Sequence, residues 1–327
     1  MWSKNGARLI KSVLAGMLIA SVHTALGARL SSEILTTDTA QPQPPASNLA
    51  RPDLRLHYRV VGDKGPYVIM LAGGPGGSVS MMRPICDHLK DRFRCVMLEQ
   101  RGTDRSMPSE YNSKTLNFEA YLADIEALRL HLGQDRLILV GNSWGMTLAF
   151  AYAGSFPERV QALATLGSGG LTVDQFKRFR DNRQVRISAA QDEDIAAVHR
   201  QNLPMDQAVT QIAKILMPNY FFNREAALLA AASVQVGDIN YRLGEHTDAI
   251  LARSDELAFG RLDRITAPVL MVQGRQDLAP EEVARDVEDR VPDAEVLLLD
   301  ECGHIPWLDQ PTATWRALDG FLNEHVG

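Results

Sequence analysis

One stretch of the sequence decides the fold: Arg136-Leu-Ile-Leu-Val-Gly-Asn-Ser-Trp-Gly-Met-Thr-Leu-Ala-Phe-Ala-Tyr152. The run from Arg136 to Val140 is short, apolar and rich in branched residues, which predicts a strand buried on both faces of a parallel sheet. From Met146 onward, apolar residues recur at helical spacing. A G-x-S-x-G pattern lies between these two segments. The pattern is weak by itself, but a strand before it and a helix after it predict a serine in a tight strand-to-helix turn.

Ser143 is the candidate nucleophile in this turn. The turn leaves no room for a Cβ on either side of a serine in a strained backbone conformation, which explains Gly141 and Gly145. We expect the Ser143 hydroxyl to lie above the sheet, at a helix N-terminus whose partial positive charge favours anions.

The composition predicts one large α/β domain that carries an insertion. The chain has 327 residues, of which 45% are hydrophobic and 23% charged, and such a chain can bury a single large core. The formal net charge is −6. The part expected to fold has no block rich in Lys or Arg, which argues against a nucleic-acid partner.

The N-terminal residues are typical of an export signal followed by a linker. Three basic residues precede the apolar run from Val13 to Val22, and Ala25-Leu26-Gly27 offers small residues for cleavage before Ala28. Ten apolar residues are too few for a transmembrane helix, so we expect residues 1–28 to be a signal peptide and the mature protein to have no stable membrane insertion. An uncleaved anchor or a misassigned start is the alternative. Residues 29–50 are rich in Pro, Gln and Thr, which predicts an extended linker.

A glycine-rich loop follows the predicted strand Tyr67 to Leu71. The spacing of its glycines does not match a dinucleotide fingerprint, and Pro75 interrupts it. Missing side chains would instead let a backbone N–H approach a reacting carbonyl, so we predict an oxyanion hole formed by the N–H groups of Gly74 and Trp144. A tight turn without a catalytic role is the alternative.

Charged residues also follow the next buried strand, Arg94 to Leu98, in the segment from Glu99 to Ser106. Charges next to a buried strand are costly unless they are paired. We therefore expect an internal network of ion pairs and hydrogen bonds here, with a structural role.

Together, these segments resemble the signature motifs of the α/β-hydrolase superfamily, and more narrowly those of the proline iminopeptidases, a group of serine peptidases. The matching motifs are Gly73-Gly74-Pro75-Gly76, Gln100-Arg101-Gly102-Thr103 with Ser106, and Gly141-Asn142-Ser143-Trp144-Gly145 followed by Phe156-Pro157-Glu158-Arg159-Val160. Three positions depart from the family pattern: Ala72 replaces a His, Glu99 an Asp and Asp104 a Gly. The resemblance implies an α/β-hydrolase fold, a mostly parallel eight-stranded-type sheet with helices on both faces and an inserted helical cap.

The superfamily places its catalytic residues in the order nucleophile, acid and histidine, and the strand ends agree with that order. Asp277 follows the buried strand from Pro268 to Gln273, and His304 follows the next strand, which ends at Leu299. Parallel strands would bring both to the sheet edge that carries Ser143. We predict that His304 accepts the Ser143 proton and that Asp277 orients and stabilises the imidazolium.

Residues 171–262 interrupt the alternation of strands and helices and predict a helical cap, with residues 51–170 and 263–327 forming the core. The resemblance implies that an acidic group of the cap would bind the substrate ammonium, and Asp238 is the candidate. A helix cap or a solvated charge is the alternative for Asp238. The Trp-Glu pair of the iminopeptidases is missing, because no Trp occurs between Trp144 and Trp307.

The sequence thus predicts a cofactor-free serine hydrolase that acts on a small peptide or a small ester. No His/Cys cluster has metal-ligand spacing, so no metal is expected. Cys86 and Cys95 could pair in an oxidising compartment. The leading hypothesis is an exported aminopeptidase of the proline iminopeptidase type. An esterase or lactonase with the same triad, and a binding protein that has lost catalysis, are the alternatives. Epoxide hydrolases and haloalkane dehalogenases are excluded, because they use an aspartate at the position of Ser143.

Overall fold

An eight-stranded sheet forms the centre of the computed structural model, which describes residues 46–326. The strands are β1 (Ala46–Ala50), β2 (Arg55–Val61), β3 (Tyr67–Leu71), β4 (Arg94–Leu98), β5 (Leu137–Ser143), β6 (Val160–Ser168), β7 (Val269–Gly274) and β8 (Ala294–Leu299). Their spatial order is β1-β2-β4-β3-β5-β6-β7-β8. All neighbours from β4 to β8 pair in parallel, and only β1 and β2 are antiparallel.

The predicted linker is wrong at its C-terminal end. Ala46–Ala50 forms β1 and pairs with β2, in a register that joins Ala46 to Arg59 and Ala50 to Arg55. The sequence Ala-Ser-Asn-Leu-Ala has a single large apolar side chain, so its pattern does not reveal a strand; pairing with β2 supplies the stabilisation. Consequently β1 is the edge strand of the sheet, and β2 lies between β1 and β4. Residues 1–45, with the predicted signal peptide, lie outside the described residues.

The apolar runs of the sequence form the inner strands, as predicted. Every residue of β5 and β7 is buried, and so are four of the five residues of β3 and of β4. A strand covered on both faces must be apolar on both faces, which explains the absence of alternation in these segments. The edge strand β8 is less buried.

Twelve helices accompany the sheet in the described part of the chain. The first three are α1 (Arg83–Leu89), α2 (Phe118–His131) and α3 (Trp144–Ser155). Six follow between β6 and β7: α4 (Val173–Val185), α5 (Ala189–Arg200), α6 (Met205–Leu216), α7 (Arg224–Ser233), α8 (Thr247–Leu251) and α9 (Ser254–Leu257). The last three are α10 (Glu282–Arg290), α11 (Pro306–Asp309) and α12 (Pro311–His325). Short 3₁₀ helices span Val79–Met82, Pro157–Arg159, Met217–Tyr220, Tyr241–His246 and Phe259–Arg264.

The segment between β6 and β7 is entirely helical apart from connections and one isolated bridge at Ile239. Capping boxes start its first two helices: Thr172 pairs with Gln175 at α4, and Ser188 with Gln191 at α5. Reciprocal caps satisfy the free N–H groups of a helix start, so these two boundaries are encoded locally. This segment contains the residues 171–262 for which the sequence predicts a cap.

The predicted fold class is confirmed: the sheet is mostly parallel, has eight strands and is accompanied by helices. Because β3, β5, β6, β7 and β8 run in the same direction, their carboxyl ends meet at one edge, where ligands bind in open α/β sheets.

Candidate active site

Ser143 lies in a strained turn between β5 and α3. Its backbone has φ 53° and ψ −119°, and a positive φ is uncommon for a residue with a side chain. The two flanking glycines are sterically required. A Cβ on Gly141 would lie 2.7 Å from the Gly145 carbonyl oxygen, and a Cβ on Gly145 would lie 1.8 Å from the Leu71 carbonyl oxygen. The structure therefore supports the steric role that the sequence predicts for these glycines.

The glycine-rich loop lies directly against this turn. The same Cβ on Gly145 would also lie 2.8 Å from the carbonyl oxygen of Ala72, at the start of the loop. Gly74 has φ 143°, and a Cβ there would lie 2.5 Å from the amide nitrogen of Gly76. Trp144 is the first residue of α3, whose N-terminus no side chain caps among the described residues. Both predicted oxyanion donors, Gly74 and Trp144, thus belong to adjoining segments at the same end of the sheet.

Asp277 and His304 form a buried hydrogen-bonded pair. The Nδ1 atom of His304 lies 2.7 Å from Oδ1 of Asp277, and neither side chain is exposed to solvent. The carboxylate also accepts the backbone N–H of Ala279 (3.0 Å) and of Ser168 (3.3 Å). Because a carboxylate accepts hydrogen bonds, Nδ1 donates its proton to it, and in a neutral imidazole Nε2 is then the acceptor.

The end of β6 connects this pair with Ser143. A Cβ on Gly167 would lie 2.2 Å from the His304 carbonyl oxygen and 2.7 Å from Nδ2 of Asn142, the residue before Ser143. Ser143 pairs with Ser168 in the sheet. The three residues therefore meet at one edge. The Nε2 atom of His304 is buried and has no hydrogen-bond partner in the described part of the chain, so the Ser143 hydroxyl does not bond to it in this structure.

Two aromatic residues from the helical segment pack against the imidazole, and the sequence analysis did not find them. The ring centroids of Phe179 and Tyr220 lie 4.9 Å and 5.7 Å from that of His304. The backbone N–H of His304 also donates to the carbonyl of Tyr220 at 2.7 Å. Aromatic residues at helical spacing are usual in any core, so no sequence signal linked these two to the site.

Asp238 belongs to a segment that binds the glycine-rich loop. Its carbonyl accepts the N–H of Ser78 at 2.9 Å, and the N–H of Asn240 donates to the Gly76 carbonyl at 3.0 Å. The Asp238 carboxylate accepts the N–H of Gln235 at 2.7 Å, within its own turn. Asp238 thus lies beside the glycine-rich loop; its binding of an amine stays a prediction.

The network expected after β4 is confirmed. Glu99 is fully buried and accepts hydrogen bonds from Arg59 (3.1 Å) and from the side chain and backbone of Arg105 (2.5 and 3.0 Å). Burial alone would raise the pKa of Glu99, but the two arginines outweigh it and hold the pKa below its usual value. Arg101 is paired with both Asp53 and Asp124.

Gln100, which matches the family pattern, and Asp104, which departs from it, both support the glycine-rich loop. Gln100 donates from Nε2 to the Ala72 carbonyl at 3.1 Å, and Asp104 accepts the Ser78 hydroxyl at 2.8 Å. Asp104 adopts a φ of 47°, a conformation that the glycine of the family pattern would adopt without strain. Burial raises the pKa of Asp104, and the hydrogen bond from Ser78 partly opposes this.

Several other expectations concern groups outside this site. Among residues 46–326, no three His, Cys, Asp or Glu side chains are arranged to hold a metal ion. No helix of that part of the chain is long and apolar enough to cross a bilayer. Cys86, Cys95 and Cys302 are buried free thiols, and Cys95 Sγ lies 4.0 Å from the Cys86 carbonyl.

The chain belongs to the α/β-hydrolase family, because the family model for the alpha/beta hydrolase fold matches residues 66–311. It is therefore an enzyme of the hydrolase class. Among its curated relatives are proline iminopeptidases. That of Lactobacillus helveticus is 27% identical over 288 residues, which cover 82% of this chain and 94% of the relative. That of Neisseria gonorrhoeae is 29% identical over 282 residues, which cover 76% and 86%.

Solved structures share the fold. The proline iminopeptidase of Mycobacterium smegmatis has a TM-score of 0.62 at 19% identity, covering 86% of this chain and 98% of that one. The enol-lactonase from Burkholderia xenovorans has a TM-score of 0.59 at 18% identity, covering 85% and 100%. At these identities the likeness establishes the fold alone. The resemblance to proline iminopeptidases expected from the sequence motifs is confirmed by the curated relatives.

Proposed function

We propose that this protein is a serine hydrolase that transfers an acyl group through Ser143, and that it is an aminopeptidase of the proline iminopeptidase type. The observation that carries the proposal is the buried Asp277–His304 hydrogen bond of 2.7 Å at the sheet edge where Ser143 lies in a strained turn. A hydroxyl is a weak nucleophile at neutral pH, and a histidine held by a carboxylate is the group that activates it.

In the proposed reaction, Nε2 of His304 takes the Ser143 proton as Oγ attacks the substrate carbonyl. Oγ must reach Nε2 for this step, and catalytic hydrogen bonds of this kind often form only in the substrate complex. The N–H groups of Gly74 and Trp144 stabilise the tetrahedral oxyanion. His304 then gives its proton to the leaving amine, the C–N bond breaks, and water hydrolyses the acyl-enzyme by the same steps.

The aminopeptidase assignment is supported by the proline iminopeptidases among the relatives, which align over most of this chain. We propose further that residues 171–262 act as a cap that selects the substrate, with Asp238 as the candidate partner of its ammonium group. Its place beside the glycine-rich loop, through the bond from Ser78 to its carbonyl, supports this.

An esterase or lactonase is the second candidate. Two observations favour it: the carboxylate of Asp238 is bonded within its own turn, and the cap sequence contains no Trp-Glu pair. An ester substrate needs no partner for an ammonium group.

A substrate panel separates the two candidates. Purified protein is assayed with aminoacyl arylamides and with p-nitrophenyl esters of increasing chain length, and Ser143→Ala serves as the control. We expect arylamide turnover that the variant loses. Turnover of short esters alone would reject the peptidase, and equal turnover by Ser143→Ala would reject the serine mechanism.

We also propose that the protein is exported, on the strength of the basic and apolar pattern in residues 1–28. Expression of the full chain in a bacterial host, followed by fractionation and N-terminal sequencing, tests this. A periplasmic or secreted form that begins at or near Ala28 supports the proposal. An exported form that still begins at Met1 contradicts cleavage, and protein confined to the cytoplasm contradicts export.

A further inference from the structure

Arg183, on α4, is a buried cation without an anion. The residue is 5% exposed, and no carboxylate of residues 46–326 lies within ion-pair distance of it. Its Nε atom is buried and has no hydrogen-bond partner there. The side chain makes one long hydrogen bond, from Nη1 to the Tyr220 hydroxyl at 3.5 Å. Arginine is almost never fully buried unless it is paired.

Other arginines of this chain show what the fold supplies when a guanidinium is structural. Arg101 is 2% exposed and donates to both oxygens of Asp124 at 2.8 and 2.9 Å, as well as to Asp53 at 2.7 Å. On α4 itself, Arg178 pairs with Asp174 and Glu282. An unpaired buried charge is expensive, so the isolation of Arg183 calls for an anion from outside the described chain.

The position of Arg183 relates it to the active site. Phe179, four residues earlier on the same face of α4, packs against the imidazole of His304 at 4.9 Å. Tyr220, whose hydroxyl accepts from Arg183, packs against the same imidazole at 5.7 Å. Three residues after Arg183, the guanidinium of Arg186 donates to the Asp277 carbonyl at 3.0 Å. This part of α4 therefore covers the Asp277–His304 pair.

The donors at this place suit a carboxylate. Nε–H of Arg183 is unused, and the Tyr220 hydroxyl, which accepts from Nη1, keeps its own proton to donate. Burial raises the pKa of Tyr220, so the hydroxyl stays protonated. A planar guanidinium with a neighbouring hydroxyl donor matches the two oxygens of a carboxylate.

We propose that Arg183 and Tyr220 bind a free carboxylate on the leaving group of the substrate, so that the enzyme prefers small substrates with such a group, above all dipeptides with a free C-terminus. The proposal rests on the proposed function, because it takes Ser143 as the nucleophile. His304 must protonate the leaving group, which therefore lies against the imidazole. Tyr220 packs on that imidazole, and Arg183 is bonded to the Tyr220 hydroxyl. In a dipeptide, the leaving residue carries the C-terminal carboxylate one residue from the cleaved bond.

The test compares matched pairs that differ only in this charge. The peptide pair is prolyl-alanine and prolyl-alanine amide, and the ester pair is 4-acetoxybenzoate and its methyl ester. We expect wild-type kcat/KM to favour the charged member of a pair by about 10- to 100-fold, the range for a hydrogen bond to a charged group. We expect Arg183→Gln to bring the ratio of kcat/KM between the charged and the neutral member close to one, chiefly by raising KM for the charged member. Turnover of the neutral member persists. Arg183→Lys and Tyr220→Phe retain intermediate ratios.

Two controls keep the result interpretable. Arg180→Gln changes a partly exposed arginine of the same helix that pairs with Asp248, and we expect it to leave the ratio unchanged. Thermal denaturation checks folding. If Arg183→Gln does not fold, the wild-type ratio and the ratios of Arg183→Lys and Tyr220→Phe decide the question.

The outcomes separate this proposal from the proposed function. Equal wild-type turnover of both members of every pair that it hydrolyses would overturn the carboxylate site and leave the serine hydrolase intact. If Arg183→Gln lowers kcat/KM equally for charged and neutral substrates and shifts the pH profile, then Arg183 compensates the charge of Asp277. This result would also overturn the carboxylate site. Cleavage of the ester pair alone would reject the aminopeptidase assignment. The ratio of kcat/KM between the charged and the neutral ester would still show whether Arg183 binds the carboxylate. Turnover by Ser143→Ala equal to wild type would reject the mechanism itself.

Discussion

Replacement of Asp277 by Asn tests the proposed mechanism most directly, because it keeps the shape of the side chain and removes its charge. In the structure Oδ1 accepts from His304 Nδ1 and from the Ala279 N–H, while Oδ2 accepts from the Ser168 N–H. An amide has one oxygen, so its NH₂ group must face a donor on one of the two sides. Ala279 is at 3.0 Å and Ser168 at 3.3 Å, and we expect the oxygen to stay with the closer donor.

Both orientations of the amide impair catalysis. With oxygen toward Ala279, the imidazole keeps its tautomer but loses the negative charge that stabilises the imidazolium. With NH₂ toward His304, the proton moves to Nε2, which then cannot accept from Ser143. We expect kcat to fall by about 10³- to 10⁴-fold with little change in KM, and the unpaired Ser168 N–H to cost about 1–3 kcal/mol of unfolding free energy.

The assay is steady-state hydrolysis of the best substrate of the panel, together with urea denaturation of the same preparations. Asp300→Asn is the matched control, since Asp300 is an exposed carboxylate on the neighbouring turn that pairs with Arg275. We expect it to keep wild-type kcat. If Asp277→Asn folds and retains more than a tenth of wild-type kcat, then this carboxylate does not orient the catalytic base and the reasoning fails.

Three further substitutions test the framework around the site. Gly145→Ala should abolish activity and lower the free energy of unfolding by more than about 3 kcal/mol, measured by urea denaturation. The reason is that the new Cβ would lie 1.8 Å from the Leu71 carbonyl oxygen, which is held in the backbone. Near-native stability of the variant would contradict this prediction. Glu99→Gln should cost about 2–3 kcal/mol at pH 7, because it weakens hydrogen bonds to a charged group. Because the pKa of Glu99 is lowered in the folded state, this loss of stability is fully present well above the unfolded pKa of about 4.3. The loss becomes smaller as the pH falls through and below that value. If the variant is less stable than wild type by the same amount at pH 4 and at pH 7, the ion pair with Arg105 is contradicted. Arg101→Met should cost about 3–5 kcal/mol because it removes the partner that Asp53 shares with the buried Asp124, which then keeps only its pair with Arg51 among residues 46–326. A double variant with Asp124→Leu should recover part of the loss, and a double variant as unstable as the sum of both single changes would refute the pairing.

The sequence predicts the sheet well where strands are buried on both faces. The runs that form β3, β5 and β7 are continuous and apolar because both faces are covered, and the polar residues that follow them stand out. For this reason the sequence is sufficient to predict the pairing of Asp277 with His304. Their hydrogen bond follows from two parallel strands ending at the same edge.

The sequence fails where stabilisation comes from partners distant along the chain. Strand β1 is held by pairing with β2, which a pattern of small and polar residues does not reveal. The helical segment shows the same limit. Phe179 and Tyr220 lie on two different helical elements, and only the tertiary fold brings them to His304 and brings Arg183 to the Tyr220 hydroxyl. Burial of Arg183 without a carboxylate could not be inferred from its position in an otherwise charged helix.

The tie between Asp238–Asn240 and the glycine-rich loop has a mechanical consequence. Ser78 and Gly76 are bonded through their backbones to this segment, and the Asn240 side chain donates to the Gly102 carbonyl at 2.7 Å. If residues 171–262 act as the proposed cap, the cap cannot move away at this corner without also moving the glycine-rich loop that contains Gly74, the proposed oxyanion donor. We therefore expect any movement of the proposed cap that admits substrate to leave the segment Asp238–Asn240 in place, so that the backbone donors for the oxyanion keep their positions.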